Sequence, residues 1–245
     1  MNILKIYILK GFVLISATLF GRVKNDFLSD DETLEQLING KSISRFGDGE
    51  LVYMCGFYHM WQKDDVRLKR RLKGIFSSTD EMLLVAVPDF LIDFTIERKN
   101  INIEGWKLPK YCLRLFAKPE TSFGSSFIFR PINSIKNSNT ELIDKALLFF
   151  KSRSVVYVGT NSKYQDYISP LHIYNSIPEV DAFSHCYDII LNDVVKICQN
   201  IKDPLVLITC GITGTVLSAD LSKFNIQAID VGSFFEQVAR LHELS

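Results

Sequence analysis

Hydrophobic and polar positions follow two rhythms along the chain. Four runs are short and apolar with little interruption: MLLVAV (82–87), SVVYV (154–158), PLVLITC (204–210) and IQAIDVG (226–232). Strands buried on both faces read this way. A shorter run, SISRF (42–46), leads directly into the tetrapeptide GDGE. Elsewhere apolar residues recur every three or four positions. The stretch SDDETLEQLING (29–40) opens with the capping side chains Ser29 and Asp30, places Leu34, Leu37 and Ile38 on one stripe and ends at Gly40, which predicts a helix. Helices are also predicted over 51–57, 64–76, 141–150, 182–200 and 214–224. Strands alternating with helices specify an α/β, Rossmann-like fold, a mainly parallel sheet with helices on both faces. Residues 100–135 follow neither rhythm and read as a subdomain or lid beside the sheet.

The first 25 residues stand apart. Residues 3–20 are largely apolar, with Lys5 and Lys10 interrupting and Arg22 and Lys24 following. The uninterrupted part, 11–20, is far short of the roughly 20 residues that span a bilayer. Two readings lead, an apolar helix lying in the membrane interface with its basic residues near lipid phosphates, or a helix packed on the protein's own core; a secretion signal is third, since SATLFG offers only a poor cleavage site. Residues 26–245 then form one domain. Hydrophobic residues make up 47% of the chain, enough for a core without disulfide staples.

The five cysteines, Cys55, Cys112, Cys186, Cys198 and Cys210, are odd in number and widely spaced, with no CxxC pair. They read as reduced thiols in a cytoplasmic protein, one that could lie at the inner face of the plasma membrane. Basic and acidic residues number 28 each, so no overall positive field exists to hold nucleic acid.

In such sheets ligands bind beyond the carboxyl ends of the strands. Four chemically loaded loops leave those ends, at 47–50, 159–163, 211–215 and 232–236, and their convergence points to a phosphate-bearing ligand. In RFGDGE, Gly47 and Gly49 allow close approach to the main chain, and their amides next to a helix start can cradle phosphate. Asp48 and Glu50 sit at i and i+2, so in an extended segment both carboxylates can meet one hard cation such as magnesium or manganese. Arg45 offers a planar fork of donors to a diphosphate. An ordinary strand-to-helix turn capped by one of these acids fits the same letters. Gly211, Thr213 and Gly214, after the 204–210 strand, make either an anion-binding helix start or a close helix–strand contact. Arg130, in FIFRPI, and Lys163, in GTNSK, are further candidate ligand clamps. His185 reads as a general base or as a structural histidine.

These segments, in this order, resemble the bacterial glycosyltransferases of the GT-D fold, a family first catalogued as a domain of unknown function. The resemblance covers roughly residues 34–235. It is carried by SISRFGDGELVYMCG with its Asp-X-Glu metal motif, LLVAVPDF, SSFIFRPI, IPEVDAFSHCYDIIL and LVLITCGITGTVLSADLSKFNIQAIDVG. It implies transfer of a sugar from a nucleotide-sugar donor, a UDP-sugar above all, to a hydroxyl of a glycan, glycoprotein or lipid-linked acceptor. The implied reaction is metal-dependent and inverts the sugar. Asp48 and Glu50 would hold the metal. Arg45, Phe46, Gly47, Gly49, Arg130, Gly211 and Thr213 would lie on the donor side, with Lys163 and Gly214 beside them. Asp230 and Glu236 are the candidate catalytic bases. The chain departs from the family in reading GITG for Gly-Pro-Thr-Ala, and GSFFEQ where a Gly-His is usual. A nucleotide-sugar hydrolase and a non-catalytic nucleotide-sugar-binding scaffold of a glycan assembly complex are the rival readings.

Overall fold

The computed structural model describes residues 10, 11, 15, 26–57, 59–93, 95–118, 121–133, 140–160 and 162–244. The apolar N-terminal segment lies almost wholly outside them. Among the described residues no helix is long and apolar enough to cross a membrane. The strands are β1 (Asp26–Phe27), β2 (Ser42–Arg45), β3 (Leu83–Val87), β4 (Ser122–Ser125), β5 (Ser154–Val158), β6 (His172–Tyr174), β7 (Pro204–Ile208) and β8 (Gln227–Asp230). They form one sheet in the order β1-β4-β3-β2-β8-β7-β5-β6, with parallel pairings throughout. The helices are α1 (Asp30–Ile38), α2 (Asp48–Met54), α3 (Val66–Phe76), α4 (Lys107–Phe116), α5 (Thr140–Lys151), α6 (Ala182–Gln199), α7 (Ile212–Ser222) and α8 (Phe234–Leu244).

Period-two alternation sorts the strand residues between two cores. Leu83, Val85, Val87, Val206 and Ile208 pack on one face with α2, α3, α4, α6 and α7. Leu84, Ala86, Leu205, Leu207 and Ile229 pack on the other with α1, α5 and α8. The central run of β3, β5 and β7 is therefore apolar on both faces, as a sheet covered on both sides requires. The basic stretch of α3 meets acids of the same fold: Arg67 pairs with Asp188, Lys69 with Asp64 and Arg71 with Asp220. Its Leu68, Leu72 and Ile75 face the core.

Several elements differ from the sequence pattern, the short edge strands β1 and β6 among them. The helix expected from residue 51 begins at Asp48, because the Glu50 carboxylate turns back to accept the Gly47 N–H at 2.8 Å. The stretch 100–135 is not a lid: it contributes α4 and the internal strand β4 between β1 and β3. The β4 signal was weak because Gly124 replaces an apolar side chain. A Cβ there would sit 2.7 Å from Leu84 Cδ2. The terminal helix α8 grows out of residues read as a loop, with Phe234, Phe235 and Val238 buried.

One buried ion network ties the helical layer to the sheet beneath the 100–135 stretch. The Arg98 side chain, 1% exposed, donates to Asp30 Oδ1 and Oδ2 at 2.8 Å each and to Asp89 Oδ2 at 2.6 Å. It joins the start of α1 to the turn after β3, and a further bond reaches Ser125 Oγ at 3.3 Å. Removing one partner of a buried pair leaves the others uncompensated. Arg98→Leu should therefore cost about 3–5 kcal/mol of unfolding free energy. Urea denaturation checks this, and a loss near zero would show that the network contributes nothing to stability.

Candidate functional site

Strands β2 and β8 are neighbours at the centre of the sheet, with Ile43 opposite Ile229. From β2 the chain runs on to β3 on one side, and it reaches β8 from β7 on the other. Their carboxyl ends deliver Arg45 and Asp230 to one cleft of about 390 Å³. The cleft is closed by Gly47 and Glu50 before and in α2, by Ser126, Phe127 and Arg130 after β4, and by Gly232 and Ser233 before α8.

Arg45 is only 8% exposed. Its Nη1 donates to the Ser126 carbonyl at 3.2 Å, while its Nε is buried with no hydrogen-bond partner. Among the described residues no carboxylate lies within ion-pair distance of it. Burial lowers its pKa from the ordinary value; Asp230 opposes that shift and Arg130 adds to it. Gly232 makes room for the guanidinium: a Cβ there would lie 2.3 Å from Arg45 Nη2, and the residue has φ +52.

Asp230 is 4% exposed. Its Oδ1 accepts from the Gly232 N–H at 3.2 Å. The Thr215 hydroxyl donates to the Arg45 carbonyl at 3.0 Å and lies 3.4 Å from Asp230 Oδ2. Burial pushes the Asp230 carboxyl up to about 6; Glu50 adds to the rise, while Arg45 and the two hydrogen bonds oppose it.

A second compartment of about 600 Å³ opens off the first. Glu50, Trp61, Thr209, Gly211 and Glu236 line both. Gly211, with φ +55, starts α7 at this junction, and the positive end of the helix faces the cleft.

The predicted residues separate into two groups. Arg45, Gly47, Glu50, Arg130, Gly211, Asp230 and Glu236 line the first compartment, and Thr213 lines the second. Phe46 lies in the core, edge-on to Phe76 at 5.1 Å. Gly49 and Gly214 serve packing: a Cβ would meet His59 Nε2 at 2.8 Å and Ile208 Cγ2 at 3.0 Å, respectively. Lys163 is exposed on the 3-10 turn Lys163–Asp166, outside both linings, and His185 is exposed on α6. Asp48 is exposed and outside both linings, two positions before Glu50 in the first turn of α2. At about 100° per residue, such neighbours point in different directions rather than side by side. Among the described residues no group of three or more His, Cys, Asp or Glu forms a metal cage. The sequence pattern had missed Trp61, Ser126, Phe127 and Thr209. Only Trp61 carried a signal, as a large aromatic in the short segment between two predicted helices.

Residues 43–237 match the family model described as Glycosyltransferase GT-D fold. The glycosyltransferase GlyD of Streptococcus pneumoniae serotype 4 is 26% identical over 219 residues, which is 82% of this chain and 26% of GlyD. The chain thus spans about a quarter of that relative's length. A solved structure described as the highly conserved domain of unknown function 1792 with a distinct glycosyltransferase fold superposes with TM-score 0.78 at 26% identity, covering 95% of this chain and 86% of the other. A second, described as a new glycosyltransferase (DUF1792) from Streptococcus sanguinis, gives TM-score 0.76 at 22% identity, covering 90% and 85%, and supports the fold.

The raised Asp230 pKa makes a prediction about stability. A carboxyl whose folded pKa exceeds its unfolded value of about 3.8 contributes stability fully below that value and loses it as pH rises through about 6. Asp230→Asn should therefore gain on the order of 3 kcal/mol relative to the unmodified chain between pH 3.5 and pH 8. Denaturation at the two pH values measures this, and a pH-independent difference would show that Asp230 titrates normally.

Proposed function

The chain belongs to the GT-D-fold glycosyltransferase family, and from that premise we propose that it moves a sugar from a UDP-sugar donor to a hydroxyl of a glycan, glycoprotein or lipid-linked acceptor, with a divalent metal and inversion of configuration. Arg45 carries this reading. A guanidinium so buried, with an unpartnered Nε and, among the described residues, no carboxylate at ion-pair distance, is costly unless an anion completes it. Arg130 faces the same compartment, and the start of α7 adds the field of a helix N-terminus. Together they favour a diphosphate, whose charge grows as it leaves.

The acids present fit a cation that draws most of its oxygens from donor phosphates and water, the usual mode for magnesium. Glu50, lining the cleft, would hold it, while Asp48, exposed and outside the lining, would reach it only through water. When bound, the metal would neutralise charge on the departing diphosphate.

Glu236 lines both compartments, so it is the better of the two candidate bases. It would accept the acceptor hydroxyl's proton as the new C–O bond forms at the anomeric carbon and the bond to UDP breaks. A single displacement of this kind inverts the anomeric centre. Asp230, turned toward Arg45 and Thr215, would set the charge behind the diphosphate. The cytoplasm, where nucleotide sugars are made, is the proposed location.

UDP with manganese at about 100 times its Kd should stabilise the protein by roughly 2.7 kcal/mol, a Tm rise of roughly 5–10 °C for a domain of this size. Arg45→Ala should lose that rise. Glu236→Gln should keep it while losing transfer by roughly a hundredfold. No shift with any nucleotide would overturn the donor reading, and an undiminished rate in Glu236→Gln would return the base assignment to Asp230.

A further inference from the structure

The two compartments differ in chemistry. The first holds Arg45 and Arg130. Among the described residues, the lining of the second contains no Lys or Arg; it has His59, Gln62, Thr160 and Thr213 and three acids, Glu50, Glu179 and Glu236. Apart from the start of α7, nothing in that lining attracts phosphate or carboxylate, and the three acids oppose them; the compartment suits a ligand rich in hydroxyls.

Trp61 stands at the junction and is 58% exposed. Its backbone is pinned on both sides. The Trp61 N–H donates to His59 Nδ1 at 3.3 Å, and its carbonyl accepts from the Asp181 N–H at 2.9 Å. The next residue, Gln62, is 2% exposed and donates through Nε2 to Ser184 Oγ at 2.8 Å. The Lys63 N–H then donates to Asp181 Oδ1 at 2.5 Å. Asp181 holds a left-handed φ of +58, a conformation that the surrounding bonds must maintain. A large ring is thus presented on a fixed mount in a cleft that mixes polar side chains with Ile177, Pro178 and Ile212, where a ligand would remove it from water. A pyranose offers a C–H face to such a ring and hydroxyls to the polar wall.

Resting on the donor reading above, we infer that the second compartment is the acceptor subsite, that Trp61 is its stacking platform, and that the ring accepted there is an uncharged sugar rather than one bearing phosphate or carboxylate. The test is binding of the tagged 245-residue chain, with UDP and manganese present, to an array of neutral, sialylated and phosphorylated oligosaccharides. Neutral glycans should be bound. Trp61→Ala should lower that signal about tenfold, the scale of one aromatic contact, and Trp61→Phe should restore part of it. Neither variant should abolish the thermal shift given by UDP, and circular dichroism checks that both remain folded. Undiminished glycan binding by Trp61→Ala, preference for charged glycans, or no neutral glycan bound by a protein that does shift with UDP would each overturn the inference. No UDP shift in the unmodified protein would instead remove the donor reading, and this inference with it.

Discussion

The guanidinium of Arg45 lies at the centre of the sheet's carboxyl edge, with no carboxylate among the described residues at ion-pair distance. Much of the surrounding structure is arranged to keep it there. Gly232 lacks the side chain that would displace it, Ser126 supplies one carbonyl, and Thr215 fixes the backbone of Arg45 itself. Asp230 is near enough to moderate the charge through the low-dielectric interior but too far to neutralise it. A full ion pair would satisfy the arginine and leave nothing for a ligand. The looser arrangement leaves positive potential directed into the cleft, already oriented before any ligand arrives.

That arrangement depends on the sheet's order. Arg45 and Asp230 come from strands separated by most of the chain, and they meet because β2 and β8 pair in the middle of the sheet. Both strands are buried on both faces: Ile43 and Ile229 pack in one core, while on the other face Ser44 bonds to the Thr215 carbonyl and Ser218 of α7, so a slip of one residue would exchange apolar and polar sides. The Arg98 network secures the start of α1 and the turn after β3 on the same side of the sheet, next to the Ser126–Arg130 wall.

The fold was largely legible because its strands are continuous apolar runs and its helices keep a 3.6-residue stripe. What escaped had no such pattern. In β4, Gly124 stands where Leu84 needs space, so the strand lacks the side chain that would announce it. Within the site, Arg45, Gly211 and Asp230 could be read because each sits at the end of a strand. Phe46 and Gly214 could not be separated from ligand contacts by sequence, since core packing and phosphate approach both favour their residue types. Thr209 and Ser126 are ordinary residues made important only by position. Trp61 depends on a distant loop, through Asp181, a contact with no local signature.

The Asp-X-Glu segment shows how one sequence can encode two constraints. The hydrogen bond from the Gly47 N–H to Glu50 Oε2 closes the first turn of α2, which is the work of a helix cap. The same carboxylate lines both compartments. Its orientation toward the cleft is therefore fixed by the formation of the helix, before any ligand is bound. An acid held only by its ligand would have to lose rotamer freedom on binding; this one has lost it on folding. Capping and ligand contact are thus not competing explanations of Glu50, because the cap is what presents the carboxylate to the cleft.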